Sequence, residues 1–240
     1  MLIAVGGGLF ALSAAGVFDH AQPEPHPSAL AVPSTSEPPS TPAQPSTSAQ
    51  PSPHRTPSSP ARPVAVHRYV FPVEGCGANA SQSHHDYPAS DIFTDKGCLF
   101  VAPIDGRVDE VTWVDRWDPK TNRGSERGGL SVSVVGVDGV RYYGSHLSSV
   151  QPGIVPGVRV RAGQTLGHTG KTGSARGTAP HLHFGISWPT ASNTWWIRRG
   201  IVAPQAFLNS WHHGGQLSPV GLVITTHEKY GAENGCRVYC

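Results

Sequence analysis

The residues best suited to chemistry in this sequence are two histidines that alternate with apolar residues. His181 and His183 lie two positions apart in the segment PHLHF. In a β-strand, residues i and i+2 point to the same side, so both imidazoles face one site while Leu182 and Phe184 enter the core. Such a pair can share a metal ion, or one ring can bind it while the other transfers protons. The pair alone is also compatible with two solvated histidines on a strand.

A second group of candidate ligands precedes an apolar run earlier in the chain. The segment SHHDYPASDI contains His84, His85 and Asp91. A histidine nitrogen and a carboxylate oxygen, offered by a loop that leads into a strand, suit Zn²⁺. The alternative is a polar surface loop. A further candidate, His146, lies at the end of the strand-like run YYGSHL.

Taken together, these three segments resemble the lysostaphin-type (LytM) zinc endopeptidases, a family that hydrolyses peptidoglycan. That family has an upstream His…Asp pair, a central Y-x-H-L-like histidine and a closing H-L-H-F, in this order. The segments Val160–Gly167 and Thr169–Gly173 are similar to its glycine-rich approach to the last motif. The resemblance spans about Phe71 to Ile186.

The resemblance implies an antiparallel LytM-type domain that binds one Zn²⁺ per chain. It implies that His85, Asp91 and His183 hold the metal and leave a fourth position open, as in catalytic zinc sites. His181 is then the expected general base, and a protonated His146 is expected to stabilise the negative charge that develops on the scissile carbonyl oxygen.

The first motif departs from the usual family pattern. The family's first histidine commonly lies four residues before the aspartate, where this chain has Tyr87. The loop is two residues longer, so both His84 and His85 are candidates. We predict His85, because its distance from Asp91 along the chain is nearer the family spacing. Adjacent residues of an extended segment point in opposite directions, so His84 would then point away.

The resemblance implies that the chain hydrolyses peptide bonds in peptidoglycan cross-links or stem peptides, and the expected partner is a peptidoglycan peptide. Glycyl bridges and cross-links between D-alanine and a diamino acid both remain possible. The alternative from another class is a non-catalytic LytM-like module that binds the wall or regulates an amidase; such modules typically lack one or more ligands. Another amide hydrolase and a structural zinc protein also stay open. The net charge of +2, without a run of Lys or Arg, argues against nucleic acid as a partner.

The elements that must position these residues are short strands joined by frequent turns. Val, Ile, Tyr and Trp dominate the runs after Arg68, and helical periodicity is nearly absent. Asp138-Gly139 lies between alternating apolar segments and predicts a hairpin. A short helix is expected over Pro204–Trp211. The predicted fold class is mainly β, with antiparallel sheets and long loops.

Composition divides the chain into four segments. Residues 1–18 are apolar and predict a signal peptide or membrane anchor, although no Lys or Arg precedes them, so an upstream start stays open. Residues 19–63, rich in Pro, Ser, Thr and Ala, predict a disordered linker. Residues 64–215 are the expected metallopeptidase domain, and residues 216–240 a C-terminal extension. We therefore expect an exported protein, extracellular or in the cell envelope, with attachment through the apolar segment as an open alternative.

Four cysteines are present, at positions 76, 98, 236 and 240. Export to an oxidising compartment favours disulfides, and sequence alone allows three pairings. We predict Cys76–Cys98 and Cys236–Cys240, because each pair flanks one local segment. The first bridge would clamp the segment that contains the first candidate metal ligands.

Overall fold

Short antiparallel strands form the framework of the domain. The computed structural model describes residues 67–79 and 83–231. Within them the strands are β1 (Val73–Glu74), β2 (Ser90–Phe93), β3 (Leu99–Val101), β4 (Gly106–Thr112), β5 (Leu130–Gly136), β6 (Arg141–Leu147), β7 (Ser149–Val150), β8 (Arg159–Val160), β9 (Thr165–His168) and β10 (His181–Ser187). The α-helices are α1 (Trp195–Arg198), α2 (Gln205–His212) and α3 (Val220–Tyr230).

The strands form two sheets that share one hydrophobic core. The larger sheet has the order β2-β10-β6-β5-β4-β8, and the smaller has the order β1-β3-β9-β7. Neighbouring strands are antiparallel in both sheets. Phe100 of the smaller sheet and Phe184 of the larger sheet belong to the same buried cluster. The predicted fold class, mainly β with antiparallel sheets, is confirmed.

Strand β10 brings the separate sequence motifs together. It lies between β2 and β6, and its register pairs His183 with Asp91 on one side and with Ser145 on the other. Leu182 and Phe184 are fully buried in the core, as the alternation predicted. Residues far apart in sequence therefore converge on one face of three adjacent strands.

Local sequence signals predict one hairpin and one helix of the fold, but not the last helix. The predicted hairpin at Asp138-Gly139 joins β5 to β6, with Gly139 at a φ of 80°. The predicted helix over Pro204–Trp211 is α2, which starts one residue later and buries three apolar side chains. Helix α3 was not predicted, because it buries a single residue, Val223, and so lacks an apolar stripe.

Several expectations fall outside the described residues. These are the signal peptide or anchor (1–18), the linker (19–63) and the Cys236–Cys240 bridge, which all stay predictions. The described part of the predicted C-terminal extension packs on the domain, since Val223 joins the core cluster and His227 stacks on Trp188. In the part of the chain that the structure describes, no helix is long and apolar enough to cross a membrane.

The predicted Cys76–Cys98 disulfide is present in the structure, with Cα atoms 5.8 Å apart and a sequence separation of 22. A closed loop of this length should stabilise the fold by about 3 kcal/mol, largely by restricting the unfolded chain. Urea unfolding of a Cys76→Ser/Cys98→Ser double variant should therefore show a free energy of unfolding lower by that amount. Non-reducing peptide mapping of exported protein should recover the linked pair. Recovery of Cys76 joined to Cys236 or Cys240 would contradict the pairing.

Candidate metal centre and active site

Asp91 and His183 meet across the paired strands β2 and β10. Oδ1 of Asp91 lies 2.9 Å from Nδ1 of His183. On the other side of the ring, the carbonyl oxygen of Arg199 lies 3.1 Å from Nε2. Both neighbours can only accept a hydrogen bond, whereas a neutral imidazole carries a single proton. Where that proton lies on Nε2, Nδ1 directs a lone pair at the Asp91 carboxylate, and a cation between the two atoms would satisfy both.

The charge states of both groups favour a metal ion in this role. Burial lowers the pKa of His183, although the hydrogen bond to Asp91 opposes this effect. Burial raises the pKa of Asp91, but the neighbouring histidines, His183 first and then His181 and His84, outweigh it and hold that pKa well below its ordinary value. At neutral pH the pair is therefore a carboxylate facing a neutral imidazole. This donor set fits a divalent cation such as Zn²⁺.

His84 supplies the third potential ligand. One nitrogen of His84, one of His183 and an oxygen of Asp91 all lie within 4.8 Å of one another. Tetrahedral zinc, with bonds of about 2.0–2.1 Å, holds its ligand atoms about 3.3 Å apart. The Asp91–His183 separation of 2.9 Å is close to that value, and the other separations do not exceed 4.8 Å. Burial and the neighbouring His183 lower the pKa of His84 to about 3, so its ring is neutral and able to bind a metal at pH 7.

The structure groups His84, and not the expected His85, with Asp91 and His183, and the metal-binding role of either histidine stays a prediction. The side chain of His85 is 78% exposed, and its Nε2 pairs with the Asp86 carboxylate at 3.2 Å. The expectation assumed an extended segment, whereas residues 85–88 form a bend. In this bend the rings of His84 and His85 stack at 4.7 Å instead of pointing in opposite directions.

A second close group consists of His84, His85 and Asp86. His85 and Asp86 are both exposed, and exposed acidic groups of this kind are common without a metal. This group also lacks the buried partners that hold His183. The less exposed group of His84, Asp91 and the buried His183 is therefore the better candidate.

Tyr87, which stands where the family commonly has a histidine, is a neighbour of the candidate ligands. Its hydroxyl lies 3.0 Å from Nε2 of His183, and its ring packs 4.2 Å from that of His84. Burial raises the pKa of Tyr87, so the hydroxyl stays protonated. Tyr87 can thus orient both imidazoles without binding the metal itself, a role that the sequence did not suggest.

His181 and His146 each present Nε2 to the same site. The carbonyl oxygen of Ala179 lies 2.9 Å from Nδ1 of His181, and that of Thr172 lies 2.8 Å from Nδ1 of His146. Because these carbonyls can only accept, both Nδ1 atoms carry the proton and both Nε2 atoms stay available. Nε2 of His181 lies 3.9 Å from Oδ1 of Asp91, and the two rings are 4.9 Å apart.

The backbone of His146 adopts a conformation that is rare for residues with a side chain. Its φ is 63°, in the left-handed region, which costs about 1–3 kcal/mol and is found most often at functional sites. A register shift between Leu130 and Val132 on β5 lies beside it, and such bulges re-aim side chains. The main-chain N–H of His146 donates to the carbonyl of Gly128 at 2.9 Å, which holds this conformation.

His146 is uncharged before a substrate binds. Burial, followed by the nearby His183 and His181, lowers the pKa of His146 well below its ordinary value. Its Nε2 is therefore an acceptor in the resting protein. The sequence gives no measure of how deeply this ring is buried, and the expected protonation of His146 stays a prediction.

The chain is similar to known peptidases in sequence and in structure. Residues 85–194 match peptidase family M23. Over 125 residues the chain is 36% identical to the glycyl-glycine endopeptidase ALE-1 of Staphylococcus capitis, a match that covers 52% of this chain and 29% of that relative's length. The structure is similar to the catalytic domain of lysostaphin from Staphylococcus simulans (TM-score 0.40, 25% identity, 57% of this chain and 92% of that one). It is also similar to a second structure of lysostaphin from Staphylococcus simulans (TM-score 0.45, 24% identity, 65% of this chain and 59% of that one).

Proposed function

Residues 85–194 form a domain of peptidase family M23, and we propose that this chain is a zinc-dependent endopeptidase that hydrolyses peptide bonds in peptidoglycan cross-links or stem peptides. The observation that carries the proposal is the grouping of three potential ligands with two buried histidines that offer Nε2 to the same site. A wall-binding or amidase-regulating module would typically lack one of these groups. Here every metal-binding and catalytic position has a candidate residue.

The proposed metal ligands are His84, Asp91 and His183. Three protein ligands with one open position are typical of catalytic zinc, whereas structural sites are closed by four. When bound, zinc lowers the pKa of a water from about 15.7 toward 7 and polarises a substrate carbonyl. Tyr87 and the Arg199 carbonyl, both in contact with Nε2 of His183, would hold that ring in the ligating orientation.

His181 is the proposed general base. The Ala179 carbonyl holds its proton on Nδ1, so Nε2 can accept a proton from the attacking water. The protonated ring can then deliver this proton to the amine that leaves. The position of Nε2, 3.9 Å from Oδ1 of Asp91, supports this role because it lies beside the proposed metal position.

His146 is proposed to orient the attacking water. Its ring is neutral and its Nδ1 is bonded to Thr172, so Nε2 accepts a hydrogen bond from water instead of donating one to the substrate. The strained backbone at this residue supports a functional placement.

We also propose that the protein acts outside the cytoplasm. The Cys76–Cys98 disulfide supports an oxidising compartment, and peptidoglycan itself lies in the cell envelope. The same proposal includes two alternatives for the apolar residues 1–18, a cleaved signal peptide or a membrane anchor.

Comparison of His84→Ala with His85→Ala tests the metal assignment and the enzyme together. We expect His84→Ala to lose stoichiometric zinc and the release of new amino groups from purified peptidoglycan, because one of three proposed ligands is removed. His85→Ala should keep both, since its exposed ring pairs with Asp86. Zinc content and hydrolysis are to be measured on folded proteins at one pH, because ligand protonation changes metal affinity.

The opposite pattern, with zinc lost from His85→Ala, would return the ligand role to His85. Wild-type protein that binds zinc yet releases no amino groups from peptidoglycan would contradict the enzyme. Co-sedimentation of that protein with the wall would then favour the binding module.

A further inference from the structure

Arg199 is a buried cation without an anionic partner. The residue is 6% exposed. No carboxylate of the described residues lies within ion-pair distance of its guanidinium. Nη1 donates to the carbonyl oxygen of Gly124 at 3.1 Å, while Nε is buried with no partner in the described part of the chain. A buried charge is costly unless an anion accompanies it.

The neighbouring buried arginines are, by contrast, fully paired. Arg141 contacts Asp109 at 2.6 Å and Glu110 at 3.1 Å. Arg198 contacts the same two carboxylates at 2.7 and 2.8 Å. Both acidic groups are thus engaged by these two arginines, and neither is within ion-pair distance of Arg199.

Arg199 lies next to the candidate active site. Its carbonyl contacts Nε2 of His183, and its guanidinium lies 5.7 Å from the centre of the Tyr87 ring. Gly185 on β10 makes this approach possible, because a Cβ at that position would collide with the Arg199 carbonyl. The main chain of Arg199 is therefore held against β10, beside His183.

A small cleft gives a ligand access to this arginine. Its volume is ≈ 40 Å³, which exceeds the roughly 10–15 Å³ that one water needs. Its lining includes Arg199, Arg198, Tyr143 and Glu110, and the Glu110 carboxylate is already paired with Arg141 and Arg198. The cleft can therefore hold a group larger than one water.

A second arginine adds to the positive charge here. Burial, and then repulsion from Arg199, lower the pKa of Arg127. The two cations lie close enough to influence one another, and the Asp86 carboxylate offsets part of this repulsion at Arg127.

We propose that Arg199 binds a carboxylate that the substrate peptide carries close to the scissile bond. A guanidinium can donate two parallel hydrogen bonds to a carboxylate, which fixes orientation as well as charge. This inference rests on the proposed function and narrows it: the preferred substrates are acidic peptides, such as stem peptides with a free carboxylate, instead of neutral glycyl bridges.

The test uses two synthetic stem peptides that differ only in a carboxylate or a carboxamide next to the cleaved bond. With the zinc-loaded full chain, kcat/KM should favour the carboxylate about tenfold to a hundredfold, the usual effect of a charged hydrogen bond. Arg199→Gln should bring this ratio close to one, and Arg199→Lys should give an intermediate ratio because Lys keeps the charge without the planar fork. The matched control, Arg176→Gln, removes an exposed arginine that Asp115 already pairs at 2.7 Å, and should keep the wild-type ratio.

A wild-type ratio near one, or an undiminished ratio in Arg199→Gln, would overturn the inference. Amidation of the α-carboxylate and of a side-chain carboxylate in turn should show which one is recognised. Where Arg199→Gln does not fold, the Arg199→Lys ratio decides, and an unchanged value counts against the proposal. If the wild type cleaves neither peptide nor peptidoglycan, the proposed function fails. Calorimetry then measures the binding of the two peptides without cleavage. The wild type should bind the carboxylate peptide more tightly than the carboxamide peptide, and Arg199→Gln should not.

Discussion

His183→Ala is expected to lose zinc and peptidase activity together. The ring is buried between Asp91, which contacts Nδ1, and the Arg199 carbonyl and Tyr87 hydroxyl, which contact Nε2. Its removal leaves two of the three proposed ligands and a carboxylate facing an empty space. Zinc content should fall far below one per chain, and hydrolysis of peptidoglycan should fall to background, because the catalytic metal is no longer held.

The control for this variant is His213→Ala, which removes an exposed histidine at the end of α2 and should change neither quantity. A His183→Gln variant, with a side chain of similar bulk, guards against effects of the cavity alone and is also expected to lose zinc. A His183→Ala protein that is folded, keeps one zinc and hydrolyses peptidoglycan at the wild-type rate would remove His183 from the site.

His181→Ala is expected to keep most of its zinc while losing activity by roughly 10²–10⁴-fold, the usual contribution of general acid–base catalysis. His181 is 4% exposed, and its Nδ1 is bonded to the Ala179 carbonyl. Its Nε2 is 3.9 Å from Asp91, beyond the 2.9 Å contact that His183 makes. The ring is thus placed to move protons and is not needed to hold the metal.

The measurement for His181→Ala is kcat and KM on one peptide substrate, with zinc content determined on the same sample. The decrease should lie in kcat, since the base acts on the attacking water and the leaving amine. A variant with unchanged kcat would exclude His181 from proton transfer. One that loses zinc as completely as His183→Ala would make it a ligand.

The strands around the site could be predicted from sequence because their signals are local. The alternation in PHLHF fixes which side chains of β10 are buried in the core, and both Leu182 and Phe184 follow it. The Asp138-Gly139 turn likewise determines its own hairpin. Helix α3 has one buried residue and thus no periodic pattern, so it gave no comparable signal.

The loop from His84 to Asp91 shows that spacing along the chain does not determine which side chain faces the site. Counting residues back from Asp91 favoured His85, but the bend at residues 85–88 leaves that ring exposed and turns His84 inward. The direction of a side chain in a bend depends on what the loop packs against. Here the ring of His84 packs against Tyr87 and His183, contacts that form only when distant strands meet.

Arg199 could not be identified from sequence for a related reason. Arg198 and Arg199 are adjacent and chemically identical, yet one is paired with Asp109 and Glu110 while the other faces Tyr87 and the candidate site. Burial without a partner depends on tertiary structure. The charge state of His146 depends on it as well, since burial is the main cause of its lowered pKa.

Mass spectrometry of purified peptidoglycan after digestion tests the central claim most directly. The zinc-loaded chain should convert cross-linked muropeptides into products in which a peptide bond has gained one water, with the glycan strands intact. Protein stripped of zinc should leave the profile unchanged until the metal is restored. Peptidoglycan that stays intact in the presence of zinc-loaded protein, or cleavage that persists at the same rate after the metal is removed, would contradict the account.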